Sequence, residues 1–95
     1  MTGKQRAMLR SMANTMEAIL FVGKDGVTEA TIREADLALE ARELIKGSVQ
    51  QNAPVDAREA LTTLCEALGA EPVQHIGRRF VLYRPAKEDP KIVLE

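Results

Sequence analysis

Gly23-Lys24-Asp25-Gly26 is the segment of this 95-residue chain best suited to meeting an anion. Two glycines permit positive φ and close backbone approach, and Lys24 adds a point charge, which Asp25 opposes. Set between a strand and a helix, such a loop turns backbone N–H groups toward an incoming phosphate. It is not a nucleotide-hydrolysing loop, because the Walker pattern needs a longer spacing between its glycines and a following Lys-Ser/Thr. A plain strand-to-helix turn would use the same residues. The chain has one histidine, His75, and one cysteine, Cys65. No third residue is placed to orient either for nucleophilic catalysis, and the two cannot close a tetrahedral zinc site. No catalytic residue, metal or cofactor is expected. Cys65 falls in an apolar helical stripe and reads as a structural thiol, and His75 lies mid-strand as a structural or RNA-facing side chain.

Periodicity supplies the elements that must hold this loop. Thr2 and Gln5 have capping-box spacing, and Ala7, Met8, Leu9, Met12, Ala13 and Met16 recur at helical intervals to about Glu17. The methionines read as core filler, which turns Arg6 and Arg10 away from the core. Ala18 to Val22 is a short apolar run consistent with a strand buried on both faces. Val27, Thr28 and Ile32 have the spacing of a hydrophobic staple around an N-cap, opening a second helix to about Arg42 with Ile32, Ala35 and Leu39 buried. Ile45, Gly47 and Val49 alternate with Lys46, Ser48 and Gln50, a strand with one polar face. Gly47 supplies no side chain there, which a strand tolerates where another element approaches closely. Asp56 and Glu59 cap a third helix carrying Ala60, Leu61, Leu64, Cys65 and Leu68, stopped by Gly69. Val73 to Ile76 and Phe80 to Tyr83 flank Gly77-Arg78-Arg79, a hairpin with arginines near its tip. The order α-β-α-β-α-β-β predicts an α/β fold with a mixed four-stranded sheet and helices packed on it. One domain over residues 1–95 is expected, with a polar, proline-punctuated tail from about 86 to 95.

Composition is that of an ordinary globular domain, at 45% hydrophobic and 28% charged residues. No apolar run reaches the roughly 20 residues of a membrane span. The charged N-terminal stretch does not resemble a secretory signal, so a cytoplasmic protein is expected. With three aromatics, Phe21, Phe80 and Tyr83, the usual multi-ring platform for stacking bases is not expected. The net charge of -1 hides a segregation of sign. Lys4, Arg6, Arg10 and Lys24 face Glu17 alone in the first quarter, and Arg78, Arg79, Arg84 and Lys87 form an acid-free block near the end. The second helix is acidic. If the basic blocks meet in space, they attract a phosphate backbone whatever the net charge. The competing use of the same pattern is a protein-interaction adaptor working through the acidic helix face.

Several short segments together resemble one family: Lys4-Gln5-Arg6, Leu9-Arg10, Ala13-Asn14, Gly23-Lys24-Asp25-Gly26, Ala41-Arg42-Glu43-Leu44-Ile45-Lys46, Ile76-Gly77-Arg78 and Val81-Leu82-Tyr83-Arg84-Pro85. In that order and spacing they are similar to the CRM (chloroplast RNA splicing and ribosome maturation) domain of the bacterial single-domain YhbY type. The resemblance implies a fold similar to the C-terminal domain of translation initiation factor three. It also implies binding of ribosomal RNA in large-subunit precursors during ribosome assembly. A monomer is expected, with ribosomal proteins or assembly factors as further partners. The loop would act much as the GXXG loop of KH domains does. Carried over, the RNA-binding positions are Lys4, Arg10, Gly23, Lys24, Asp25, Gly26, Lys46, Arg78 and Arg84, with Arg6 and Arg79 added from charge and position. The chain departs from the family at Gly47, where a β-branched residue is common. Phe21 occupies a position that varies, and no role is assigned to it.

Overall fold

A computed structural model describes residues 1–94. Seven elements follow in order: α1 (Gly3–Ala13), β1 (Leu20–Val22), α2 (Glu29–Arg42), β2 (Leu44–Val49), α3 (Ala57–Leu68), β3 (Glu71–Ile76) and β4 (Arg79–Tyr83). The order of types is the one the sequence predicts. The four strands form one sheet, β1-β2-β4-β3. β1 runs parallel to β2, while β4 is antiparallel to both of its neighbours. The fold is therefore α/β with a mixed four-stranded sheet and three helices.

Each helix begins where its side chains satisfy the orphan donors of the first turn. Thr2 Oγ1 accepts from the Gln5 amide at 3.1 Å, and Gln5 Oε1 accepts from the Thr2 amide at 2.9 Å. Asp56 and Glu59 make the same reciprocal box for α3. In α2 the partner of Thr28 is Thr31, a shorter hydroxyl variant that keeps both amides paired. Gly69 closes α3 in the left-handed region at φ 63°.

The helices form two layers on the sheet. α2 and α3 cover one face, with Ala35, Leu39, Ala60, Leu61 and Leu64 against Leu20, Val22, Ile45, Val49, Phe80 and Leu82. α1 covers part of the other, with Leu9 and Ala13 against Leu44, Val73, Val81 and Tyr83.

Three expectations change here. α1 ends at Ala13 rather than near Glu17, and Asn14-Thr15 turns the chain. Both side chains compete for backbone groups and favour turns over helix interiors. The buried stripe of α1 is Leu9 and Ala13, while Met12 is 42% exposed. The helix is thus rotated by one residue, about 100°, from a methionine-centred packing. Alanine lets it approach the sheet, and the rotation brings Arg6 inward to donate from Nε to the Pro72 carbonyl at 3.2 Å. Finally, β1 is an edge strand buried on one face only, with Phe21 exposed between Leu20 and Val22. An unbroken apolar run does not distinguish a strand covered on both faces from one that α1 fails to reach.

The segment after β4 is polar in sequence yet tied down. Ala86 is buried, and Ile92 and Leu94 pack on the α1 side of the core. Glu40 and Glu43 accept its backbone amides.

Candidate nucleic-acid interface

The loop Gly23–Gly26 leaves the C-terminal end of β1 as a tight turn. The Gly26 amide donates to the Gly23 carbonyl at 2.9 Å, and Gly26 has φ 71°. A side chain at 26 would force a left-handed conformation that L residues pay for. At Gly23 the constraint is space, because a Cβ would stand 3.0 Å from Gln50 Oε1. Lys24 and Asp25 occupy the exposed tip. Among the described residues their amides donate to nothing, whereas the Thr28 and Thr31 amides are consumed by the α2 cap. The loop therefore offers the turn amides and the Lys24 ammonium. Thr31, Gln50 and Asn52 line the open cleft beside it.

Sheet register decides which cations share this end. The Gln50 amide donates to the Val22 carbonyl, and the Val49 amide to the Arg78 carbonyl, both at 2.8 Å. β2 thus lies between the loop and the Gly77-Arg78 turn, which puts the two about two strand spacings, roughly 10 Å, apart. Arg78 and Arg79 are exposed. Lys46 is half-buried on the α1 face and lines a cleft with Arg79. Lys24, Arg78 and Arg79 make one basic end, with Lys46 further back along β2.

The remaining cations are elsewhere. Lys4 and Arg6 lie in the first turns of α1, which is anchored at Pro72, toward the opposite end of β3. Arg10 is exposed mid-helix. Arg84 requires the clearest correction, because it does not face solvent at the loop end. It follows β4, five residues and so roughly 16 Å along the strand from Arg79. Its side chain is 12% exposed, with Nη1 2.8 Å from Asp36 Oδ1 and 3.2 Å from the Leu68 carbonyl, while Nη2 donates to the Asp36 carbonyl. It ties α2, the end of α3 and β4 together. Arg84→Lys keeps the charge but loses the planar fork. We expect it to cost about 2 kcal/mol in thermal or denaturant unfolding and to leave RNA affinity per folded molecule unchanged. An undiminished melting temperature with weakened RNA binding would contradict this placement.

The acidic helix face is partly consumed in the same way. Asp36 holds Arg84, Glu40 accepts the Lys87 and Glu88 amides, and Glu43 is buried. Half of the acids between residues 25 and 43 thus serve the fold, which leaves less for an adaptor surface.

Cys65 is buried, and burial, reinforced by the charge of Glu71, pushes its thiol up to about 11. At neutral pH it is a protonated, poor nucleophile. His75 is exposed on β3. Among the described residues no group of three His, Cys, Asp or Glu could hold a metal ion, and no helix is long and apolar enough to cross a membrane.

Sequence reasoning missed Gln50 and Asn52. The parallel register Val22↔Val49 carries position 50 beside 23, but that register becomes legible only once β1 and β2 are known to pair.

Fold and loop together define a class first: a layered α/β domain with Lys24, Arg78 and Arg79 at the end of the sheet where a glycine turn emerges. The chain belongs to the CRS1/YhbY (CRM) domain family, whose model matches residues 1–84. It is 44% identical over 94 residues to a Bacillus subtilis protein named "Probable RNA-binding protein YqeI", covering 99% of this chain and 98% of that one. A Methanocaldococcus jannaschii protein named "Probable RNA-binding protein MJ0652" is 39% identical over 90% of this chain and 64% of its own length. The solution structure of the hypothetical protein SAV1595 from Staphylococcus aureus superposes with a TM-score of 0.83 at 45% identity, covering 100% of this chain and 99% of that one.

Proposed function

We propose that this chain is a non-catalytic RNA-binding module that docks on the phosphates of structured ribosomal RNA. It would act on large-subunit precursors during ribosome assembly, as a cytoplasmic monomer. The observation that carries the reading is the convergence of the Gly23–Gly26 loop with Arg78 and Arg79 at one end of the sheet. Family membership and the names of the relatives support RNA as the ligand. Ribosomal RNA and assembly rest on the resemblance of the short motifs. Phosphate contacts of this kind position the protein without reading sequence, so affinity depends steeply on salt.

The test is binding of the purified chain to a large-subunit ribosomal RNA precursor across a salt series, wild type beside Lys24→Glu. Lys24 is exposed at the tip of its turn, so the variant is expected to keep the fold. It is expected to bind more weakly, with the slope of log K against log salt reduced by about 1 for the lost contact, or more through repulsion. A folded wild type that binds no RNA at low salt would overturn the reading. The adaptor alternative would then be tested with Glu34→Lys against a protein partner, Glu34 being an exposed acid of α2.

A further inference from the structure

α1 leaves part of its own sheet face bare. It sits over Leu44, Val73, Val81 and Tyr83 and stops at Ala13. Beyond it one register row crosses all four strands: Phe21 pairs with Ser48, Ser48 with Arg79, and Arg79 with Ile76. Directly paired residues of neighbouring strands project from the same face. The row therefore presents an aromatic ring, a hydroxyl, a guanidinium and an aliphatic side chain in one line. Its two ends are three strand spacings, roughly 14 Å, apart. Phe21 is 55% exposed and Ile76 67%. One step toward α1 the next row carries Lys46 beside Val81 and Gln74. Neither Lys46 nor Arg79 makes an ion pair among the described residues.

We propose that this row is a second RNA subsite that takes a short unpaired segment: Phe21 stacks one base, Ile76 packs against another, and Lys46 and Arg79 neutralise the phosphates. The proposal rests on the RNA-binding reading and extends it from the loop to the sheet. Three observations select this occupant. Two apolar groups flank an unpaired guanidinium, with the Lys46 ammonium in the adjacent row, which suits a polyanion carrying flat apolar bases. The row is continuous with the phosphate loop, since Phe21 precedes Gly23 by two residues. A second copy of the chain is disfavoured, because an isologous contact burying this face would bring Lys46 and Arg79 of both copies into one interface with only Glu17 of each to offset them. Glu17 lies at the α1 rim of the cleft shared by Phe21, Lys46 and Arg79, so the phosphates run on the side of the two cations. A multi-ring platform is out of reach, with Phe80 and Tyr83 buried, and Phe21 is the single ring available.

The experiment compares a blunt RNA duplex with the same duplex carrying a three-nucleotide single-stranded extension that contains 2-aminopurine. Affinity is read by anisotropy and stacking by 2-aminopurine emission, at one salt concentration. Wild type is expected to bind the extended RNA more tightly and to change the emission. Phe21→Ala, at a largely exposed edge position, is expected to lose about five-fold or more in affinity for the extended RNA and to abolish the emission change. It should leave the blunt duplex unaffected, and Phe21→Tyr should restore both signals. Equal affinity of Phe21→Ala and wild type for the extended RNA, with Lys24→Glu still weakening both RNAs, would overturn the subsite and leave the loop reading standing. That result would return the row to a protein-contact face, as would a wild-type dimer that Phe21→Ala dissolves. Failure of wild type to bind either RNA would overturn the subsite together with the reading beneath it.

Discussion

Gly47→Val is expected to destabilise the protein by about 3 kcal/mol, the upper end of ordinary overpacking. Strand propensity alone points the other way, since valine is favoured over glycine in strands by up to roughly 1 kcal/mol. Packing decides the sign. Gly47 pairs directly with Phe80, and a Cβ at 47 would stand 2.6 Å from Cε2 and 2.9 Å from Cε1 of that ring, with Cζ nearer still. Phe80 is fully buried among Leu39, Ile45, Leu64 and Leu82, so the ring cannot swing aside. The missing side chain is what allows an aromatic ring to lie flat on the middle of the sheet. In urea denaturation the midpoint should fall while the slope is kept. Phe80→Leu alone should also destabilise, by leaving space over Gly47. The double variant Gly47→Ala/Phe80→Leu should be more stable than the sum of its single changes, with a coupling on the order of 1 kcal/mol. A Gly47→Val protein as stable as wild type would mean that the ring does not occupy that position.

The same pair shows where a sequence stops being informative. Alternation in Ile45-Lys46-Gly47-Ser48-Val49 is enough to place β2, and a glycine at a core position signals close approach. Which residue approaches depends on the antiparallel register with β4, a non-local pairing that no local pattern encodes. Capping boxes and the Gly69 stop were legible because they are closed within four residues. The loop Gly23–Gly26 was legible for the same reason. The order of elements carried the mixed sheet as well, and what failed were inferences about individual side chains whose partners lie distant in the chain. Arg84 belongs to a basic block in sequence and to Asp36 in space. Arg6 is turned inward by Pro72, 66 residues away. Phe21 reads as core in an apolar run and becomes surface because β1 is an edge that α1 does not cover. A cation's sign can be counted along the chain, but its availability to a phosphate depends on whether the fold has already neutralised it.

Glu43→Gln is expected to cost about 2–3 kcal/mol at neutral pH and to release the segment after β4, although glutamine has nearly the same shape. Glu43 is 2% exposed, and its carboxylate is surrounded by donors. Oε2 accepts from the Ala86 amide at 2.8 Å, and Oε1 from the amides of Lys91 at 2.8 Å and Ile92 at 2.9 Å. A glutamine side chain must turn its own NH2 toward one of these N–H groups, which leaves a donor facing a donor and forfeits a charge-assisted bond. The residue is held against backbone strain as well, at φ 67° and ψ -44° between α2 and β2. Glu43→Gly should therefore be less damaging than Glu43→Ala by about 1 kcal/mol, since both lose the carboxylate and only glycine accepts that conformation freely. Burial alone would raise the Glu43 pKa, but the three amides and the Lys91 ammonium outweigh it and hold the carboxyl below its ordinary value. A folded-state pKa below the unfolded one means that this stabilisation is fully present above the ordinary carboxylate pKa. It is lost as pH falls through that value toward the folded one. Wild type and Glu43→Gln should accordingly converge in stability on acidification, and the variant should lack that part of the acid slope. Trypsin cleavage after Lys87 and Lys91 offers a second readout, because both follow the anchored amides and should become faster in the variant at neutral pH. If cleavage is unchanged and the two proteins keep a constant stability gap down to acid pH, the carboxylate is not what holds this segment to the fold.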